Sequence, residues 1–131
     1  MNISAPKPCL PFITAGFPSP AQDFTDLKIS LDKTLIRNPA ATFMAYADGD
    51  SMIRMGIHHG DLLIVDRSLE TRDGDVVVAV LDGEFLIKQF SYLEGKPALV
   101  PHNSKYPIVY VSSDSDFRVW GVVMHSIRTF R

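Results

Sequence analysis

A single cysteine, Cys9, leaves no way to close a disulfide within the chain, and nothing in the sequence asks for an oxidising compartment. Long apolar runs are also missing: the longest, residues 76–81, is far too short to span a bilayer. Charge of one sign is lacking too, because 13 Lys and Arg stand against 15 Asp and Glu for a net charge of -2. A chain that grips a polyanion by itself is more basic, so strong direct binding to nucleic acid is not expected. The four histidines, His58, His59, His102 and His125, show no paired metal-ligand spacing, and neither a metal nor another cofactor is expected. Lys7 followed by the small apolar patch 9–15 imitates a secretory leader, but Pro11 interrupts a patch already at the lower limit of length. The expected location is the cytoplasm, with no membrane partner. At 131 residues the chain suits one domain with a real core, hiding roughly two-thirds of its unfolded surface.

What is present divides into two regions. Residues 1–39 hold Pro6, Pro8, Pro11, Pro18, Pro20 and Pro39 with little periodicity. Each proline lacks a donor and restrains the residue before it, which predicts an extended arm over 6–20. A short helix is expected over 23–29, followed by an extended piece to residue 36. From residue 40 the pattern turns to β, with "ATFMAYA", "DLLIVD", "GDVVVAVLDGEFLIKQF", "PALVPH", "PIVYVSS" and "FRVWGVVMHSIRTF" separated by Gly, Asp, Asn and Pro. Short strands, close turns and no long amphipathic helix predict a mostly β domain, antiparallel or mixed. Asp82-Gly83 between two apolar runs is a two-residue hairpin signal.

Two residues break the local rules. Alternation in the second arm of that hairpin puts Glu84, Leu86, Lys88 and Phe90 on one face and Phe85, Ile87 and Gln89 on the other. Lys88 therefore stands between large apolar neighbours. It reads either as an edge-strand lysine that blocks aggregation, with its ammonium led to solvent, or as a lysine whose surroundings disfavour its charge. A neutral amine of that second kind accepts a proton near neutral pH. In "ADGDSMIRMGIHHGD", Ser51 follows the turn residues Gly49 and Asp50 and precedes one helical turn over 52–55 that Gly56 stops. Ser51 reads either as the N-cap of that turn or as a nucleophile beside unpaired backbone N–H groups able to hold an oxyanion. Serine needs a base to become nucleophilic, and a neutral lysine can serve. A Ser-His-Asp arrangement using His102 or His125 has no recognisable sequence context.

The ordered motifs "GDSMIRMGIHHGDLLIVD", "GDVVVAVLDGEFLIKQF", "LVPHNSKYP" and "VWGVVMHSIR" resemble the self-cleaving domain shared by LexA repressors and UmuD-type mutagenesis proteins, over nearly the whole chain. The resemblance implies a curled, signal-peptidase-like β domain over 40–131 behind a flexible arm over 1–39 that carries a cleavage site. It implies a Ser-Lys serine autoprotease with Ser51 as nucleophile, Lys88 as general base and the backbone N–H groups of Asp50 and Ser51 as oxyanion donors. The bond cut would be Ala15-Gly16 in "FITAGFPSP", and Cys9 would leave with the severed arm. Promotion by a RecA filament on single-stranded DNA, a homodimeric product and a Y-family, UmuC-like DNA polymerase as partner in the SOS response all follow from the same resemblance. Only fifteen residues precede Gly16, too few for the helix-turn-helix domain of a LexA-like repressor, so the UmuD type fits better. Ala15 departs from the cysteine of the UmuD type, although alanine is accepted elsewhere in the family. The alternative is an adaptor of polymerase or filament that keeps the fold and never cuts.

Overall fold

β-Branched residues crowd the stretch 62–81, and two of the strands, Leu62–Asp66 and Val76–Leu81, form within it. The computed structural model describes Ile13, Ala15, Gly16 and residues 30–131. The chain divides into two compact units, Met1–Pro39 and Ala40–Arg131. In the first unit the one described helix is α1, Leu31–Leu35, started by Ser30, whose hydroxyl accepts the Lys33 N–H. This corrects the extended piece expected there, because a serine cap followed by Asp32 in the first turn satisfies orphan N–H groups that no periodicity count registers. The helix expected over 23–29 lies outside the described residues.

The second unit is one antiparallel sheet of seven strands: β1 Thr42–Tyr46, β2 Leu62–Asp66, β3 Val76–Leu81, β4 Glu84–Leu93, β5 Lys96–Val100, β6 Val109–Tyr110 and β7 Phe117–Ile127. Their order is β1-β2-β7-β3-β4-β5-β6, so the last strand lies inside the sheet, third from one edge, and joins the first two to the β3 to β6 meander. Asp82 and Gly83 both have positive φ, 49° and 85°, as a tight hairpin between β3 and β4 demands. A second two-residue hairpin, Glu94-Gly95, repeats this geometry with φ of 53° and 77°, and β4 runs three residues past the end expected at Phe90.

The sheet curls at β7. Register slips once opposite β2, between Ile64 and Val65, and once opposite β3, between Val78 and Ala79. Each slip leaves one extra β7 residue, Met124 and Trp120 respectively, and bulges of this kind bend a strand and tighten its twist. Side-chain alternation divides the core in two, with Val78 in one cluster and its neighbours Val77 and Ala79 in the other. Ala47, Met52, Ile57, Leu63, Val65 and Val78 form one cluster, and Val77, Ala79, Phe90, Leu99 and Val122 the other. Each fully buried Leu or Val contributes about 1.5–3 kcal/mol. On β7, beside β2, a methyl group on Gly121 would fall 2.5 Å from the Val65 side chain at Cγ1.

Candidate functional site

A cleft of about 390 Å³ opens along the first cluster, with Met52, Leu63, Val78 and Trp120 among its apolar lining residues and Ser51 and Lys88 within it. Trp120 is held by Phe43 and Phe85, edge-on at 5.5 and 6.2 Å, and by the Arg67 guanidinium 4.6 Å from its ring centroid. Arg67 also donates from Nε to the Trp120 carbonyl at 2.9 Å, so the β7 bulge and the wall it builds are tied to the residue after β2.

Ser51 enters from the 49–56 turn. The helical element here is a 3-10 turn, Ile53–Met55, preceded by Met52 with no side-chain cap and ended by Gly56 in the left-handed region. The N-cap reading of Ser51 is therefore corrected: its hydroxyl does not cap the turn but lies 2.7 Å from Lys88 Nζ. Lys88 comes from the middle of β4, which pairs with β3 on one side and β5 on the other, so it is not an edge-strand lysine. Its side chain is 9% exposed, and burial pushes its amine below the usual lysine range. The Tyr106 ring, 5.7 Å from Nζ, is the one cation-π partner found for it, and no carboxylate forms an ion pair with it among the described residues. A protonated Lys88 donates to Ser51 Oγ; once neutral, it can accept from the Ser51 hydroxyl across the same contact.

Asp50 is tied down on two sides. Tyr106 donates its hydroxyl to Asp50 Oδ1 at 2.6 Å, and Asn103 Nδ2 donates to the Asp50 carbonyl at 2.9 Å. The Tyr106 hydrogen bond, helped by the Lys105 charge, holds the Asp50 carboxyl below the usual range, and the same bond raises the Tyr106 phenol. Among the described residues no backbone carbonyl accepts the N–H of Asp50 or Ser51. The segment "LVPHNSKYP" carries no local sign of its place at this site. Its contribution is visible only after folding, because its contacts to Asp50 and Ser51 bridge about fifty positions of chain.

Ala15 and Gly16 belong to the first unit, and both are exposed. His102 turns its ring to Gln89, with Nε2 2.6 Å from Oε1, and His125 pairs with Ile64 in the β7 ladder. His58 and His59 diverge, the first toward the Gly56 carbonyl and the second accepting the Gly49 N–H.

The site thus sets a serine hydroxyl against a buried lysine amine on an antiparallel sheet. The Peptidase S24-like family model matches residues 8–124. Protein SamA of Salmonella typhimurium is 44% identical over 117 residues, covering 89% of this chain and 81% of SamA. Protein MucA of Escherichia coli is 41% identical over 116 residues, covering 88% and 79%. LexA repressor 1 of Xanthomonas oryzae pv. oryzae is 36% identical over 121 residues, covering 92% of this chain and 60% of the repressor. The chain belongs to the Peptidase S24-like family and, within it, to the UmuD-type SOS mutagenesis proteins. Among the described residues no helix is long and apolar enough to cross a membrane.

Proposed function

We propose that the chain is a serine autoprotease that cuts its own Ala15-Gly16 bond. The observation that carries this reading is the 2.7 Å contact between a serine hydroxyl and a lysine amine that burial disposes to lose its proton. Neutral Lys88 takes the Ser51 proton as Oγ attacks the Ala15 carbonyl carbon. The N–H groups of Asp50 and Ser51 hold the resulting oxyanion. Collapse breaks the Ala15-Gly16 bond, and the Lys88 ammonium returns its proton to the departing Gly16 amine. Water then attacks the ester on Ser51, again with Lys88 as base, releasing the Ala15 carboxylate and restoring both side chains.

The product, residues 16–131, forms a homodimer and serves as accessory subunit to a Y-family, UmuC-like DNA polymerase in lesion bypass. A RecA filament on single-stranded DNA promotes the cut. Membership of the UmuD type supports these partners, and the near-neutral charge fits a protein that reaches DNA through other proteins. Intact-mass analysis with and without a filament of RecA, nucleotide and single-stranded DNA tests the reading. A fragment beginning at Gly16, faster with filament and missing from a Ser51→Ala chain, is the expected result. A chain that stays whole in both conditions overturns it in favour of the non-cutting adaptor.

A further inference from the structure

The Asp50 carbonyl and the Ser51 N–H are the two ends of one amide plane, and no peptide bond among the described residues is cis. Anchoring the oxygen therefore aims the N–H in the opposite direction. The anchor is Asn103, whose Nδ2 donates to Asp50 O at 2.9 Å, with the Ile53 N–H as a second, longer donor at 3.2 Å. The Asn103 amide is itself oriented, because its Oδ1 accepts the Lys105 N–H at 3.0 Å and so leaves Nδ2 facing Asp50. The next amide plane is held by the neighbouring residue: His102 N–H donates to Ser51 O at 2.8 Å, and the His102 carbonyl accepts the Arg54 N–H at 2.9 Å. Residues 102 and 103 thus grip both peptide planes that flank the Ser51 Cα.

We propose that Asn103 is a positioning residue that aims and polarises the Ser51 N–H at the developing oxyanion. The proposal rests on the reading of Ser51 as nucleophile. Two physical effects support it. A fixed donor costs no reorganisation when charge develops, and a carbonyl that accepts a hydrogen bond polarises its own amide, making the N–H at the other end a stronger donor. The hydrogen bonds of Asn103 go to Asp50 and Lys105, whereas Lys88 faces the Ser51 hydroxyl and the Tyr106 ring. Asn103 therefore acts on the oxyanion side of the reaction and not on the base.

The test compares self-cutting by the full chain, by Asn103→Asp and by Asn103→Ala across the alkaline pH range, with the melting temperature of each. Asn103→Asp keeps the shape and the acceptor for Lys105 but loses the donor. The expected result is a rate lower by about 10- to 100-fold at every pH, the position of the alkaline rise unchanged and melting close to the parent. Rates within twofold of the parent overturn the proposal, as does a rise displaced along the pH axis, which would place the action on Lys88. A loss that disappears once rates are referred to the folded fraction overturns it as well. A readout that needs no variant is a through-hydrogen-bond NMR coupling between Asn103 Nδ2 and the Asp50 carbonyl carbon in the parent; its presence supports the anchor and its absence removes it. An uncut parent, or a Ser51→Ala chain cut as fast, overturns the peptidase reading and this proposal with it. A cut parent with unaffected Asn103 variants overturns this proposal alone.

Discussion

Lys88 and Asp61 are both charged residues buried in the same sheet unit, at 9% and 3% exposure, yet their surroundings are opposite. Asp61 is satisfied on every side: it accepts the His58 N–H at 2.8 Å and the Ser126 hydroxyl at 3.1 Å, and it pairs with Arg128 at 3.3 Å. Lys88 meets a hydroxyl and a ring face, neither of which supplies a negative charge. A buried charge with its partners in place ties loops and strands together. A buried amine without a counter-charge is pushed toward its neutral form, which is the form a base needs.

Ser51→Ala and Lys88→Ala should break the contrast most severely, each slowing the appearance of a Gly16-terminated fragment by at least about 10⁴-fold in mass spectrometry, because neither group acts without the other. Asp61→Ala should leave that chemistry in place but lower stability by about 2–3 kcal/mol, read from the urea midpoint. That figure reflects lost hydrogen bonds to a charged acceptor, with the Arg128 contribution discounted because its side chain is 37% exposed.

Lys88→Met, compared in a Ser51→Ala background to prevent cutting, should raise stability near neutral pH by about 1–3 kcal/mol. The sign follows from proton binding. The folded amine lies below its ordinary 10.5, so between the two values the unfolded chain holds more protons and stability climbs as pH rises. Methionine removes that climb, and the gap between the two chains should narrow toward pH 10.5. The smallest effect is expected for Tyr106→Phe. Loss of the hydroxyl that lowers the Asp50 carboxyl should move its NMR titration upward toward the ordinary aspartate value, with little change in melting.

The same contrast separates what was legible in the sequence from what was not. Period-two alternation around Lys88 and the Asp82-Gly83 pair are local signals, and they announced the β3-β4 hairpin and an anomalous lysine. The meeting of Ser51 with Lys88 spans 37 positions, so spacing alone left the N-cap and edge-strand readings open, and the motif resemblance favoured the pair. Glu94-Gly95 gives a weaker hairpin signal because glutamate is unusual at positive φ, where Asn or Asp is common. The α1 helix leaves no periodic signal because five residues are too few for a hydrophobic period to show. The Asn103 and Tyr106 anchors on Asp50 had no local trace at all, since each depends on how residues 101–106 fold back over the 49–56 turn.

The central claim is that a buried, uncompensated Lys88 is the base for Ser51, and the most direct measurement is the rate of self-cutting against pH in the purified chain without filament. The account predicts a Gly16-terminated fragment whose rate rises with pH to a plateau, with its midpoint below 10.5 and no fragment from Lys88→Ala. A pH-independent rate, or a Lys88→Ala chain that cuts as fast as the parent, would contradict it.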